Sequence, residues 1–163
     1  MFDRIVVPLD GSDVAEQALE AAANLARRLN VPMHLIRVTD MPHADLTAMY
    51  GYMADGRVVA EKVKSEISLA HEYLAENMQS LEELDLRLST QVEVGMPATA
   101  IVESVREGDV IVMASHGRSG IARWYLGSVA EQVMRQSPVP VMIVRGPQAR
   151  RSISSSGSVA VAS

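Results

Sequence analysis

The sequence predicts an α/β protein built on an open, doubly wound, five-stranded parallel sheet with helices on both faces. Three observations predict it. Five short apolar runs rich in Val and Ile alternate with helical patterns along the 163 residues, which is typical of right-handed strand–helix–strand units. The first and fourth runs are almost wholly apolar, as strands buried on both faces are. A glycine-containing segment joins the fourth run to a helix, at the edge where such sheets bind ligands.

The chain opens with a strand and a helix. Residues 5–9 form the first apolar run. In the segment that follows, apolar residues recur at spacings of three and four, which predicts an amphipathic helix whose start either Ser12 or Asp13 can cap. Asn30 and Pro32 predict its end, because proline cannot continue a helix.

A second strand, a long loop and a second helix come next. Residues 33–38 form the strand, and residues 39–56 form a loop rich in Met, Tyr and Gly. A structureless loop of this length is uncommon and often functional, so the Met and Tyr side chains of residues 49–53 form either a packed loop or a lid over a ligand. The second helix has one apolar stripe, made of Val59, Val63, Ile67, Ala70, Leu74, Met78 and Leu81.

The remaining elements complete the alternation. Polar and apolar residues alternate over residues 86–94, which predicts a strand with one wet face at a sheet edge. Pro97 suits the first turn of a third helix, and residues 110–113 form the apolar fourth strand. The last helix covers residues 129–136, and the fifth strand begins at Val139 and ends at Val144.

A strand order of 3-2-1-4-5 satisfies these patterns, because it places the first and fourth strands centrally and the third at an edge. In that order the chain reverses direction between strands 1 and 4. Ligands of such sheets bind in the crevice beyond the carboxyl ends at this point. The loops that begin at Asp10 and Ala114 are then neighbours, so two distant segments of the chain form one site.

Composition and charge exclude several classes of function. The net charge of −5, with no basic stripe, argues against a nucleic-acid partner. The absence of cysteine excludes disulfides and thiolate metal sites, and His34, His43 and His71 lack the spacing of metal ligands. Apolar runs are too short for a membrane helix and no signal peptide is recognised, so we expect a cytoplasmic protein. Residues 1–146 form the predicted domain, and residues 147–163 form a tail rich in Ser, Arg and Ala.

The segment after the fourth strand predicts an anion site. It reads Ala114-Ser115-His116-Gly117, nine further residues, then Gly127-Ser128. Glycine lets the backbone come close to a ligand, and a helix start offers N–H groups and a positive dipole end. A capping box that begins at Ser128 and ends at Glu131 marks the helix start. The alternative is that Gly127 and Ser128 serve only as a helix cap.

These residues resemble the universal stress protein family. Its motif is Gly-x-x-Gly, nine residues and Gly-Ser/Thr, placed after the fourth strand of a 3-2-1-4-5 sheet. Residues 5–12 and 137–144 also resemble that family, and the likeness spans roughly residues 2–145. It implies a Rossmann-like fold of the adenine nucleotide alpha hydrolase type and, more specifically, the ATP-binding branch.

The resemblance also implies a role for each site residue. Asp10 would face the ribose and the phosphates and hold Mg²⁺ or Mn²⁺ through water, and Val38 would meet the adenine. The N–H groups of Gly117, Gly127, Ser128 and Val129 would meet the phosphates, together with the hydroxyl of Ser128. The full set of implied nucleotide-binding residues is Pro8, Asp10, Val38, Ala114, Ser115, His116, Gly117, Gly127, Ser128 and Val129.

Ala114 is the departure from the motif, because the family has its first glycine there. A methyl group costs little if this residue keeps a negative φ and much if φ must be positive. It also stands where it would push a phosphate or a ribose outward. Ala114 therefore keeps open a protein of the same fold that binds no nucleotide.

The favoured function is an ATP-binding regulatory protein of the stress response, which acts through nucleotide-dependent conformation or through binding an unidentified protein partner. No Ser-His-Asp arrangement, carboxylate pair or activated lysine is recognised, so no catalytic residue is assigned. One alternative is a dimeric scaffold without nucleotide. Another is a slow ATPase or phosphotransferase that uses Asp10, a divalent ion and His116. The apolar edge strand at residues 139–144 predicts a homodimer, unless the tail covers that edge.

Overall fold

The computed structural model describes residues 1–39, 56–115 and 126–145. Its five strands form one all-parallel sheet in the order β3-β2-β1-β4-β5, so the predicted fold class and strand order are confirmed. The strands are β1 Arg4–Pro8, β2 Met33–Thr39, β3 Leu88–Val94, β4 Asp109–Ala114 and β5 Val141–Val144. The helices are α1 Asp13–Leu29, α2 Gly56–Leu81, α3 Pro97–Ser104 and α4 Ser128–Gln136, with a 3-10 turn at Glu82–Leu84.

Helices cover both faces of the sheet, as the alternation of side chains along β1 shows. Ile5 and Val7 pack in a core cluster with α1 and the second half of α2. Val6, which points to the other face, packs with residues of α3 and α4. Burial on both faces explains why β1 and β4 are continuous apolar runs.

The two ends of α1 are formed as the sequence predicts. Ser12 is the N-cap, and its hydroxyl accepts a hydrogen bond from the backbone N–H of Ala15 at 3.1 Å. Asn30 ends the helix in the left-handed conformation with a φ of 54°, which asparagine tolerates better than most residues. Pro97 begins α3, also as predicted.

The predicted starts of two strands are wrong. β3 begins at Leu88 rather than at residue 86, because the 3-10 turn and the left-handed Asp85 lie between α2 and the strand. β5 begins at Val141 rather than at Val139. The Ser137 hydroxyl accepts from the N–H of Val139 and donates to its carbonyl, so residues 137–139 form a turn.

Helix α2 has two different halves. Its predicted apolar stripe is buried at Ala70, Leu74 and Leu81. By contrast, no side chain of residues 60–69 is buried. Residues 60–69 of this 26-residue helix therefore pack little against the core. Neither α2 nor any other helix in the described ranges has the length and apolar character needed to cross a membrane.

The starts of β1 and β4 are joined by an ion pair. Arg4 donates to both carboxylate oxygens of Asp109, with a distance of 2.9 Å from Nε to Oδ1. The backbone N–H of Arg106 donates to Oδ2 at 2.9 Å. Asp109 is only 1% exposed. Burial opposes its charge, but the hydrogen bonds from Arg4 and Arg106 outweigh burial and hold the pKa of Asp109 below its usual value.

Candidate functional site

A cleft of about 510 Å³ opens where β1 and β4 end. The two loops that the strand order predicts to be neighbours both contribute to its wall. Of the residues predicted to bind a ligand, those that line it are Pro8, Asp10, Val38, Ala114, Ser115, Gly127, Ser128 and Val129. His116 and Gly117 lie outside the described residues, as do the Met and Tyr side chains of residues 49–53.

The turn after β1 holds the carboxylate of Asp10 in place. Its Oδ1 accepts hydrogen bonds from the backbone N–H of Ser12 at 3.0 Å and from the Ser12 hydroxyl at 2.6 Å. Gly11 has a φ of 82°, a conformation that residues with a side chain rarely adopt. Asp10 thus shapes the turn and also lines the cleft.

Two backbone hydrogen bonds hold the end of β4 against the start of α4. The N–H of Ser115 donates to the carbonyl of Val144 at 3.0 Å, which continues the pairing of β4 with β5. The N–H of Gly127 donates to the carbonyl of Ser115 at 2.7 Å. The start of α4 is therefore fixed directly beside the end of β4, although eleven residues separate Ser115 from Gly127 in the chain.

The predicted capping box at the start of α4 is wrong. The N-cap is Gly127, with φ and ψ of −60° and 147°, and Ser128 is the first residue of the helix. The N–H of Glu131 bonds to the Gly127 carbonyl at 2.9 Å, as in an ordinary helical turn. No side chain in the described part of the chain caps α4. Its first N–H groups are consequently placed to receive an anion at the cleft.

Ala114 occupies its position without backbone strain. Among the described residues other than glycine, only Asn30 and Asp85 have a positive φ, so Ala114 is an ordinary strand residue. It is 7% exposed and belongs to the core cluster on the α1 side of the sheet. Its neighbour Met113 packs instead on the side of α4. The methyl group that replaces the motif's first glycine is thus mainly a core group.

Four polar residues that line the cleft were not predicted from the sequence. They are Arg37, Thr39, Lys62 and Glu66. Arg37 and Thr39 belong to the end of β2, and Lys62 and Glu66 belong to the first half of α2. The spacing of four between Lys62 and Glu66 was the available signal, because it places them on one face of a helix. Nothing in the sequence indicates that this face meets the cleft.

Arg37 is held by a neighbouring tyrosine. Its guanidinium lies 4.5 Å from the centre of the Tyr73 ring, a distance typical of a cation–π contact. The Tyr73 hydroxyl donates to Oε1 of Glu16 at 3.0 Å. Burial, and after it the carboxylate of Glu16, raises the pKa of Tyr73 above its usual value. These contacts join β2, α1 and α2 beside the cleft.

The described residues contain no cluster of three or more His, Asp or Glu side chains that would hold a metal ion by themselves. Asp10 and Glu66 are the acidic residues of the described cleft lining. His34 lies elsewhere, between β2 and β3, where its ring nitrogens bond to Ser89 at 2.8 Å and to Gln91 at 3.0 Å. Burial lowers the pKa of His34, so a neutral structural role fits its surroundings.

Comparison with known proteins agrees with this architecture. A sequence model described as the universal stress protein family matches residues 1–145. Universal stress protein MJ0531 of Methanocaldococcus jannaschii is 33% identical to the chain over 152 residues. That alignment covers 91% of this chain and 85% of the archaeal protein.

Two solved structures extend the comparison to three dimensions. Universal stress protein UspA from Lactobacillus plantarum aligns with a TM-score of 0.75 at 25% identity, covering 88% of this chain and 98% of its own. A universal stress protein crystallised in complex with cAMP aligns with a TM-score of 0.59, also at 25% identity, covering 88% and 97%. By sequence and by fold, this chain belongs to the universal stress protein family.

Proposed function

We propose that this protein is a cytoplasmic regulatory protein of the stress response that binds an adenine nucleotide, with ATP as the expected ligand, in the cleft between β1 and β4. One observation carries the proposal. The carboxylate of Asp10 and the start of α4, which no described side chain caps, line the same cleft at the point where the strand order reverses. The relative in complex with cAMP supports an adenine nucleotide as the ligand.

The lining of the cleft suits the separate parts of a nucleotide. Ile36, Val38, Ile101 and Met113 form an apolar wall on the side of α3 and α4. The apolar faces of a flat base can be buried against such a wall. The N–H groups of Ser128 and Val129 suit the phosphates, because a helix start favours negative charge. The predicted role of the Gly127 N–H is wrong, since this group donates to the Ser115 carbonyl. Asp10, which also lines the cleft, suits the ribose hydroxyls.

The acidic residues of the cleft fit a magnesium ion that arrives with the nucleotide. Mg²⁺ is usually held by one or two carboxylates, phosphate oxygens and several waters. The cleft offers Asp10, whose carboxylate the Ser12 bonds hold in place. No group of three or more His, Asp or Glu side chains in the described part of the chain is arranged to hold a metal ion by itself. Asp10 would therefore hold Mg²⁺ or Mn²⁺ through water, and the bound ion would neutralise part of the phosphate charge.

We expect nucleotide binding to change the surface that binds a protein partner, because several helices and strands line the cleft. β1, β2, β4, α2, α3 and α4 all contribute to its wall. A nucleotide that contacts both α2 and α4 would hold these two helices in fixed positions. Binding to a protein partner would then depend on the nucleotide if the partner contacts either helix.

The test combines two measurements on freshly purified full-length protein. Mass spectrometry of the released small molecules should identify an adenine nucleotide, and calorimetry of nucleotide-free protein should show saturable binding of ATP with Mg²⁺. Failure to bind ATP, AMP or cAMP would favour the scaffold alternative. Phosphate release at about 1 s⁻¹ or faster, lost in Asp10→Asn, would place the protein among enzymes.

A second copy of the chain is the other partner that we propose. β5 is an edge strand, and the Met142 side chain is 41% exposed. The carbonyls of Pro140 and Val144 bond to β4. Because the direction of backbone groups alternates along a parallel strand, those of Val141 and Ile143 point away from the sheet. They are available to pair with the same strand of another copy around a two-fold axis.

A further inference from the structure

The first half of α2 reaches the cleft without being part of the core. Residues 60–69 contain no buried side chain, and at ~1.5 Å per residue they extend about 15 Å from the buried Ala70. Lys62 and Glu66, one turn apart on this segment, line the cleft although both are exposed. Packing against the core therefore does not account for their position at the wall.

The charges of Lys62 and Glu66 are not used within the protein. Among the described residues, neither side chain forms an ion pair or a hydrogen bond. They do not pair with each other either, and lysine followed four residues later by glutamate is the weaker of the two helical arrangements. Arg37, the other cationic residue of the described lining, is held against the Tyr73 ring.

The charged side chains of the described cleft lining have a net charge of zero. Asp10 and Glu66 are acidic, and Arg37 and Lys62 are basic. A ligand with several negative charges consequently meets no net attraction from this set. Lys62 attracts such a ligand and Glu66 repels it. Both the attraction and the repulsion increase with the charge of the ligand.

We propose that Lys62 is a specificity-determining residue that recognises the phosphate charge of the bound nucleotide, and that Glu66 opposes this attraction by repelling the phosphates. This inference rests on the proposed binding of an adenine nucleotide. The ammonium of a lysine is a point charge on a flexible stem, which can follow phosphates of different length. The cleft would then prefer nucleotides with more phosphate charge through Lys62, and Glu66 would limit that preference.

The test is a charge-neutralising pair with a matched control. Lys62→Gln and Glu66→Gln each remove one charge and keep a polar side chain, and Lys64→Gln removes an exposed lysine of the same helix that does not line the cleft. Calorimetry with ATP and with uncharged adenosine measures each variant. Because exposed charges contribute modestly, we expect Lys62→Gln to weaken ATP binding about threefold and Glu66→Gln to strengthen it about twofold. Adenosine affinity should stay at the wild-type value throughout.

The outcomes separate this inference from the proposed function. Wild-type protein that binds neither ATP nor adenosine overturns both. Wild-type binding of ATP, with Lys62→Gln behaving like Lys64→Gln, overturns the role of Lys62 and leaves the proposed function standing. Equal losses of ATP and adenosine in Lys62→Gln also overturn it, because a merely structural residue would affect both ligands. Opposite shifts in the two variants, confined to ATP, support it.

Discussion

Polar groups form hydrogen bonds with one another where β1 and β4 begin, whereas some of those where the two strands end have no described protein partner. Where the strands begin, Arg4, Asp109 and the N–H of Arg106 satisfy one another, and the Asp109 carboxylate is buried. Where the strands end, no described side chain caps the start of α4, and Lys62 has no partner in the described part of the chain. Polar groups that satisfy one another stabilise a fold, whereas groups that still have bonding capacity at a cleft are suited to a ligand.

The two ends of β1 and β4 should respond differently to substitution. At the strand starts a change should lower the free energy of unfolding and leave nucleotide affinity alone. At the cleft a change should alter nucleotide affinity with little loss of stability.

The largest effect is expected from Asp109→Asn. Removing one partner of a buried ion pair leaves Arg4 without its counter-charge, which should lower the free energy of unfolding by about 3 kcal/mol. Urea denaturation measures this change, and Glu107→Gln, an exposed acid nearby, is the control. ATP affinity should be unchanged below the transition. A loss below about 0.5 kcal/mol, the range of an ordinary surface change, would contradict the prediction.

The same carboxylate predicts how stability depends on pH. The pKa of Asp109 is lower in the folded protein than its usual value, so the folded state favours the ionised form. Its contribution to stability is therefore complete above the pKa of the unfolded chain and is lost as pH falls through the folded pKa. Wild-type protein should lose stability over this acidic range more steeply than Asp109→Asn does. Parallel curves would mean that Asp109 does not carry the effect.

At the other end of the strands, Gly127→Val should weaken ATP binding at least about tenfold, a loss of roughly 1.4 kcal/mol. A branched side chain would stand where phosphates approach the start of α4. The backbone angles of Gly127, −60° and 147°, are ones that valine also adopts, so the fold should persist. Gly127→Ala, which adds only a methyl group, should lie between wild type and valine in calorimetry. Unchanged affinity in Gly127→Val would move the site away from α4.

The outer edge of β5 is a third region, where backbone groups rather than side chains lack partners in the described chain. Ile143→Pro removes an N–H that points away from the sheet and should convert the dimer to monomers in light scattering at tens of micromolar. Ile143→Ala loses more of the half-buried side chain but keeps that N–H, and it should remain dimeric. A monomeric wild type, or two variants with the same mass, would exclude pairing through β5.

The sequence predicted those features that depend on patterns along one segment. Wholly apolar runs identified β1 and β4 as central strands, and the alternation of polar and apolar residues identified β3 as an edge strand. Burial on one face or on both determines such a pattern within the strand itself. The capping box at Ser128 failed because the helix begins one residue earlier than the pattern requires, with Gly127 as the N-cap. The Gly127 N–H bonds to the carbonyl of Ser115, a distant contact that a pattern within α4 does not contain. Lys62 was missed for the same reason, since only the packing of α2 brings it to the cleft.

The smallest effect is expected from Ala114→Gly, which restores the motif's first glycine at a residue shared by the cleft lining and the core. Ala114 lines the cleft, but its methyl group packs in the core on the α1 side. Glycine within a strand gives up that packing and costs conformational entropy, so the free energy of unfolding should fall by about 0.5–1 kcal/mol. ATP affinity should stay at the wild-type value in calorimetry. A change of affinity in either direction would mean that the methyl group contacts the ligand, and Ala114 would then belong with the cleft rather than with the core.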